Sequence, residues 1–394
     1  MNQSRLLLSF ALCLGACNST PAARTDSARS GRVIRLAPLD STTAPQWTTE
    51  PVFTTLGRNA LLAGVGYSVR AVFAPDSTLW VANASEIVVL HRDGALARTV
   101  GRAGDGPGEF RGILSLGLGG DGTIYASELG SGRFTRLRTS GGVAQFIPRI
   151  TNASAGRENE PVTALDDGRS LGITWQSRPN VNVSDGIVDG PYHRERVTLM
   201  AYDSTGAVGD TLGVWPGLQR SAGLPIRFAR GVVYDGRGNR TAIGVSDSVD
   251  ITLFDGASLV RRLVGPASLR AVTPADLLAW REGVKAEMQD LAAFLIKAND
   301  EGPAVATLPT VGGVVIDDEG NLWIGEFAVP KQASRRWHIY SAEGKALGVV
   351  ELPALAPAFL TTHTELLDVA QGRLALLREM PDGELVVEVR NIRR

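Results

Sequence analysis

The sequence predicts an all-β fold made of six repeated antiparallel units, with an N-terminal strand that completes the last unit and one inserted amphipathic helix. Three observations support this prediction. Short apolar strands alternate with Asp- and Gly-rich turns, the strands recur in the same order along the chain, and the last unit lacks an outer strand. Self-similarity of this kind indicates a repeat architecture.

The repeat is clearest in the second and third strands of each unit. Each second strand follows a turn that contains Asp, Gly or both, and Gly supplies positive φ there without a Cβ penalty. The second strands are predicted to begin near positions 78, 123, 169, 240, 321 and 373. The third strands are predicted to begin at positions 87, 134, 197, 251, 337 and 385.

The outer strands indicate how the repeat closes. Only five units have an outer strand of their own, and the segment 52–57 has the same shape as the outer strands 97–101, 209–213 and 260–265. Closure by an N-terminal strand hides sheet edges that otherwise promote aggregation. The sequence therefore predicts a six-bladed β-propeller over 51–394. A meander or a pair of β-sandwiches leaves the matching N-terminal strand unexplained.

The N-terminus predicts export. An apolar run over 6–16 follows Arg5, and it is shorter than the about 20 residues that span a bilayer. Such a run is typical of a signal peptide, here 1–16. It ends in Leu-Gly-Ala-Cys17, which resembles a lipobox, so we expect Cys17 to carry lipid and 17–50 to be a flexible tether. An ordinary signal peptide with a chance cysteine is the alternative.

Composition limits the function classes. The formal net charge of −1 gives no sign of a nucleic-acid-binding surface. The only cysteines are Cys13, within the predicted signal peptide, and Cys17, so the mature domain has no thiol for catalysis, a disulfide or zinc. We expect a protein of the cell envelope, held by its lipid. By family resemblance, Asn18 after the cysteine implies the outer membrane.

The stretch 101–110 (GRAGDGPGEF), with DGTIYASE at 121–128, resembles the NHL-repeat type of six-bladed propeller. In that family a G-x-G-P-G-x-F turn links the blades. The resemblance covers about 72–145 and recurs around 312–344. The sequence departs from the family where Asn83, Glu128 and Glu326 replace an Asp that ends the second strand. The Arg of the family's N-x-R-I motif is matched by Arg133, and by Arg335 or Arg336.

Long insertions favour one face as the binding face. Loops between second and third strands share a face with the links between units, and the insertions 176–196, 327–336 and 266–309 all belong to this set. The last contains a predicted helix that starts after Thr273. Its apolar stripe is expected to comprise Leu277, Trp280, Val284, Met288, Leu291 and Leu295. The helix by itself is expected to be a structural brace.

Charged residues should ring the mouth on this face. Arginine suits recognition of carboxylate, phosphate or sugar hydroxyls. The predicted ligand-binding residues are Arg111, Glu128, Arg133, His193, Arg230, Glu326 and Arg335. The alternative for each of them is a solvated ion pair. We expect a binding protein without a cofactor, and its ligand is a polar small molecule, a glycan or a partner protein.

An enzyme is the alternative function. Some relatives implied by the resemblance are calcium-dependent hydrolases or lyases, and Asn83, Glu128 and Glu326 end equivalent strands where oxygen ligands could hold calcium. Zinc is disfavoured because the four histidines belong to different units. The chain also lacks the G-x-S-x-G motif of serine hydrolases.

Overall fold

The structure is a computed structural model, and it describes most of the chain after Ser30. The described residues are 31–37, 44–56, 61–62, 66–67, 70–83, 85–128, 132–147, 158–176, 187–189, 192–221, 224–266, 270–355, 365–380 and 385–394. The predicted signal peptide, Cys17 and most of the insertion 176–196 lie outside these residues. Within them no helix is long and apolar enough to cross a membrane.

The described strands form an all-β fold. Before the first unit lie β1 (Arg32–Arg35), β2 (Gln46–Leu56), β3 (Leu61–Leu62) and β4 (Gly66–Tyr67). The first unit contains β5 (Ala71–Phe73), β6 (Leu79–Asn83), β7 (Glu86–Leu90) and β8 (Leu96–Val100). The second contains β9 (Ile113–Leu118), β10 (Ile124–Glu128), β11 (Phe134–Leu137) and β12 (Val143–Ile147). The third contains β13 (Glu158–Ala164), β14 (Ser170–Gln176), β15 (Ile187–Asp189), β16 (Tyr192–Tyr202), β17 (Val208–Ser221) and β18 (Leu224–Pro225).

The remaining units follow the same order. The fourth contains β19 (Val232–Arg237), β20 (Arg240–Val245), β21 (Asp250–Asp255) and β22 (Ser258–Val264). The fifth contains β23 (Val311–Ile316), β24 (Leu322–Glu326), β25 (Ser334–Tyr340) and β26 (Ala346–Pro353). The sixth contains β27 (Leu366–Ala370), β28 (Arg373–Glu379) and β29 (Leu385–Arg393). Helices α1 (Pro274–Met288) and α2 (Ala292–Glu301) separate the fourth and fifth units.

The N-terminal strand pairs as the sequence predicts. Strand β2 runs antiparallel to β29, with Phe53 opposite Val389 and Leu56 opposite Val386. The start of β2 also pairs in parallel with β26, so the fifth and sixth units share one eight-stranded sheet. The outer strand that the last unit lacks is therefore supplied from the start of the chain.

The first strands of the units contact one another in cyclic order. Strand β5 contacts β9, and contacts continue through β13, β19, β23 and β27, which returns to β5. Apolar clusters fill the spaces between neighbouring units. One cluster contains Trp80 of the first unit together with Phe110 and Ile113. Phe110 lies just before the second unit, and Ile113 is its first strand residue. Because strand side chains alternate between two faces, each sheet can bury both faces against its neighbours.

The predicted flexible tether is wrong from Arg32 onward. Strand β1 pairs in parallel with β22, and Leu36 beyond it is buried. Trp47 is only 7% exposed, and it packs edge-on against Trp323 with ring centroids 5.6 Å apart. Strand β1 and the start of β2 thus pair with the outer strands of the fourth and fifth units, which gives 32–37 and 44–50 fixed places in the fold.

The third strand of the third unit starts earlier than predicted. Strand β16 begins at Tyr192, where position 197 was expected, and its first residues pair with β15. The described end of the insertion 176–196 is therefore a β-hairpin arm that continues the sheet. Its partner on the other side is the long strand β17, in which Arg220 lies opposite His193.

The predicted helix is divided in two. Thr273 caps α1 through a capping box with Asp276, as its sequence position predicts. A 3-10 turn at Gln289–Leu291, where Gln289 has φ 31°, separates α1 from α2. Trp280, Val284 and Leu295 are buried, and Leu277 and Met288 are partly buried beside them. Leu291 is 54% exposed because the turn rotates it away from the apolar stripe.

Candidate functional site

The family-like link 101–112 forms a closed ion-pair network. The carboxylate of Glu109 accepts hydrogen bonds from the backbone N–H groups of Asp105 and Gly106, at 3.0 and 2.9 Å. Arg133 donates from Nε to Glu128 at 2.6 Å, and the backbone N–H of Arg111 donates to the same carboxylate at 2.9 Å. Glu128 and Arg133 are only 4% and 8% exposed. These three predicted ligand-binding residues thus fix the link onto the second unit.

Arg230 belongs to a second cluster, around Asp247, and His193 lies on a neighbouring strand. Arg194 donates to the Asp247 carboxylate at 2.9 Å, and Arg230 lies 3.3 Å from it. Arg230 also donates to the hydroxyl of Thr307 at 2.7 Å, which joins the third link to the helical insertion. His193 lies on the β15–β16 arm beside this cluster. His193 and Arg230 both lie on the insertion-bearing side, but their contacts are separate from the network around Arg133.

Arg335 is placed differently from the prediction. It is 3% exposed and forms an ion pair with Glu365, which is fully buried, at 3.3 Å. Consecutive strand residues point to opposite faces, so Arg335, Trp337 and Ile339 face the sixth unit. Arg336 faces the fourth unit instead. Of these two neighbouring arginines, Arg336 lines a cavity between the fourth and fifth units, whereas the predicted residue Arg335 is buried against the sixth unit.

A side cavity of about 250 Å³ lies between the fourth and fifth units, beneath the two ends of the helical insertion. Glu326 is the one member of the predicted ligand-binding set that lines it. The lining residues are Val249, Gly265, Pro266, Arg270, Pro309, Thr310, Val311, Ile324, Gly325, Glu326, Phe327, Arg336, His338 and Tyr340.

Strand pairing positions the polar residues of the side cavity. Arg336, His338 and Tyr340 alternate along β25, where His338 lies opposite Ile324 and Tyr340 opposite Leu322. Arg270 comes from the insertion. Its carbonyl accepts the backbone N–H of Leu308 at 2.9 Å, so the two arms of the insertion hold each other where they cross the cavity.

Glu326 and His338 form the central polar contact of the side cavity. His338 Nε2 lies 2.8 Å from Glu326 Oε1, and Arg336 is 3.6 Å from the same oxygen. The hydrogen bond from His338 lowers the pKa of Glu326, and the charges of Arg336 and Arg270 lower it further. The other ring nitrogen of His338, Nδ1, is buried and has no hydrogen-bond partner among the described residues. Glu326 is thus held ionised beside a histidine with unused hydrogen-bonding capacity.

A second, central cavity of about 130 Å³ is lined mainly by the ring of first strands. Asp235 and Glu160 line it, with Tyr125 and Tyr234. Burial raises the pKa of Asp235 to about 6, and the nearby Asp368 acts in the same direction. Burial also raises the pKa of Tyr234, and Glu160 adds to this effect. The central cavity therefore contains two groups, Asp235 and Tyr234, whose pKa is raised above the usual value.

The predicted calcium ligands do not converge. Glu128 is bound by Arg133 and Arg111 in the second unit, whereas Glu326 contacts His338 in the fifth. Asn83 ends β6 in the first unit. Across the described residues, no group of three or more His, Cys, Asp or Glu side chains is arranged to hold a metal ion. These residues do not fit the calcium site that the family resemblance implies.

Sequence reasoning missed two polar residues of the side cavity, His338 and Arg270. The alternation of Arg336, His338 and Tyr340 along one strand marks a polar face, and this pattern was a usable signal for His338. Arg270 lies outside every strand pattern, and only the fold brings it to the cavity.

No family model matches the chain, and no curated protein matches it. Among solved structures, a member of the DUF4221 family from Bacteroides vulgatus is 11% identical with a TM-score of 0.48, covering 89% of this chain and 98% of that one. An exported protein of Bacteroides fragilis is 11% identical with a TM-score of 0.44, covering 93% and 100%. A streptogramin B lyase is 10% identical with a TM-score of 0.40, covering 88% and 98%. These neighbours are propeller-like.

Proposed function

We propose that the chain is a ligand-binding six-bladed β-propeller of the cell envelope, which takes a polar small molecule into the side cavity. The units would be the blades, and the insertion-bearing face would be the binding face. Lipid on Cys17 would anchor the protein to the membrane. A glycan or a partner protein is the broader form of the same proposal, and the small volume of the cavity, about 250 Å³, favours a small molecule.

One observation carries this proposal. The side cavity combines an apolar wall with a few polar groups, Arg270, Arg336, Glu326 and His338, which is the usual composition of a small-molecule site. These groups come from the insertion and from two strands of a rigid sheet. Rigid placement of this kind lowers the cost of ordering the site when a ligand binds.

The proposal is tested by blocking the cavity. A panel of small polar metabolites is screened by thermal unfolding of the full chain, because a ligand of the folded state raises the midpoint by mass action. Val249→Trp places a bulky ring at the cavity wall, and Val260→Trp is the matched control on the exposed face of β22. Compounds that stabilise the wild type and V260W, but not V249W, would support the proposal. Equal stabilisation of all three proteins would place binding elsewhere.

A hydrolase or lyase is the second candidate function, and the central cavity favours it. A carboxyl group with a pKa of about 6, such as Asp235, is suited to acid–base catalysis near neutral pH. Turnover of a lactone or ester panel that Asp235→Asn abolishes, and V249W leaves intact, would favour this candidate. The central cavity is the smaller of the two, at about 130 Å³, so it is the less suitable binding site.

A further inference from the structure

We infer that the ligand of the side cavity is a small organic carboxylate with an apolar body, bound through its carboxylate by Arg270 and Arg336. This inference rests on the proposed function and names its ligand class. It follows from the charges, the wall and the size of the side cavity.

The side cavity contains more positive than negative charge. Arg336 lies 3.6 Å from the one acid of the cavity, Glu326, and Arg270 lines the same cavity. Glu326 is already hydrogen-bonded to His338. Among the described residues, Arg270 is exposed and forms no ion pair and no side-chain hydrogen bond. One positive charge at the cavity is therefore balanced by solvent and is available to a ligand.

Acids outside the cavity are bound to other groups. Asp247 pairs with Arg194 and Arg230, and Asp250 pairs with Arg262. Glu282 of α1 contacts Lys331. Glu351 lies opposite Arg336 across the β25–β26 pair, where it accepts a hydrogen bond from the hydroxyl of Ser334. None of these acids pairs with Arg270, so its guanidinium remains free to bind an anionic ligand.

The wall of the side cavity selects an organic anion over an inorganic one. Val311, Ile324 and Phe327 supply apolar surface beside the arginines. Guanidinium groups bind carboxylates through paired, charge-assisted hydrogen bonds, while the apolar surface gains free energy only from an apolar ligand body. The volume of about 250 Å³ is just below the range of drug-sized sites, about 300–1,000 Å³, which limits the ligand to a small molecule.

Three probes of nearly equal shape test the ligand class: phenylacetate, phenylacetamide and phenethylamine. Binding to the full chain is measured by calorimetry at millimolar probe concentration, with inorganic phosphate as a fourth probe. We expect phenylacetate to bind best, the amide to bind at least about tenfold more weakly, and the amine and phosphate to show no binding. Added salt should weaken phenylacetate binding.

Arginine variants test the contacts. Arg270→Gln and Arg336→Gln should each weaken phenylacetate binding by about tenfold or more and leave any amide binding unchanged. Arg138→Gln is the matched control, because Arg138 is an exposed arginine of the second unit that donates to the carbonyl of Val143. Unchanged phenylacetate binding in both variants would overturn the inference.

The outcomes separate this inference from the proposed function. Equal binding of the amide and phenylacetate, both lost in V249W, would overturn the carboxylate class and keep the side cavity as the site. Tight binding of inorganic phosphate would overturn the organic class. No binding of any probe would also overturn the inference, whereas metabolite hits that V249W abolishes would still support the proposed function.

Discussion

Asp235 accepts a hydrogen bond of 2.7 Å from the backbone N–H of Ile316, and this contact joins the first strands of the fourth and fifth units. Asp368 makes the same contact with Phe73, also at 2.7 Å, between the sixth unit and the first. The two aspartates occupy equivalent positions, because Asp235 pairs with Ala242 and Asp368 with Ala375 in the second strands. The same type of hydrogen bond, from a backbone N–H to an aspartate, thus joins neighbouring first strands at two places in the ring.

Asp235→Asn should stabilise the protein at neutral pH. The pKa of Asp235 is raised from 3.8 to about 6, so the folded state holds this proton more tightly than the unfolded state does. The free energy of unfolding therefore falls as pH rises from about 4 to 6, and ionisation costs about 3 kcal/mol above that range. Asparagine keeps an acceptor for Ile316 without the charge. Denaturant unfolding should show a gain approaching that size at pH 7 to 8 and none near pH 4.

Asp203→Asn is a control for which we expect a change in stability of the opposite sign. The hydroxyl of Thr205 and nearby backbone N–H groups lower the pKa of Asp203, so its ionised form stabilises the folded state above pH 4. Its asparagine variant should be less stable than the wild type at pH 7, and the loss should disappear in acid. A gain for Asp235→Asn that does not change with pH would contradict the titration argument.

Asp368→Ala should be strongly destabilising. Asp368 is 5% exposed and forms a buried ion pair with Arg237. Removal of one partner from a buried pair leaves an uncompensated charge, at a cost of about 3–5 kcal/mol. The double variant Asp368→Ala with Arg237→Met should recover part of this loss in denaturant unfolding. A double variant less stable than the sum of the single changes would contradict this account.

The link between the first and second units allows a comparison of buried and exposed ion pairs. Glu128→Ala should lower the free energy of unfolding by about 3 kcal/mol, because it removes the main partner of buried Arg133. Arg102→Ala, at an exposed pair with Glu109, should cost less than about 1 kcal/mol. Equal losses in the two variants would show that burial does not determine the strength of this network.

The fold was predictable where its signals are local. The turn at Asp121 and Gly122 fixes the start of β10, and the shared shape of outer strands identified β2 as the partner of β29. The site was less predictable. A shift of one residue reverses the face of a strand residue, which is why Arg335 was chosen and Arg336 lines the side cavity. Arg270 reaches the side cavity only through the crossing arms of the insertion, a placement that no local pattern encodes.

Trp47→Ala tests the correction at the N-terminus. Trp47 packs against Trp323, and a Cβ on Gly348 would lie 2.3 Å from its indole nitrogen, so the ring fills a space that only glycine leaves open. Loss of a buried tryptophan should cost about 3–5 kcal/mol in denaturant unfolding. Val33→Ala is the control, because Val33 lies on β1 of the same N-terminal segment and is exposed. If the segment were a tether, Trp47→Ala would be as mild as Val33→Ala, and hydrogen exchange at β26 would be unchanged.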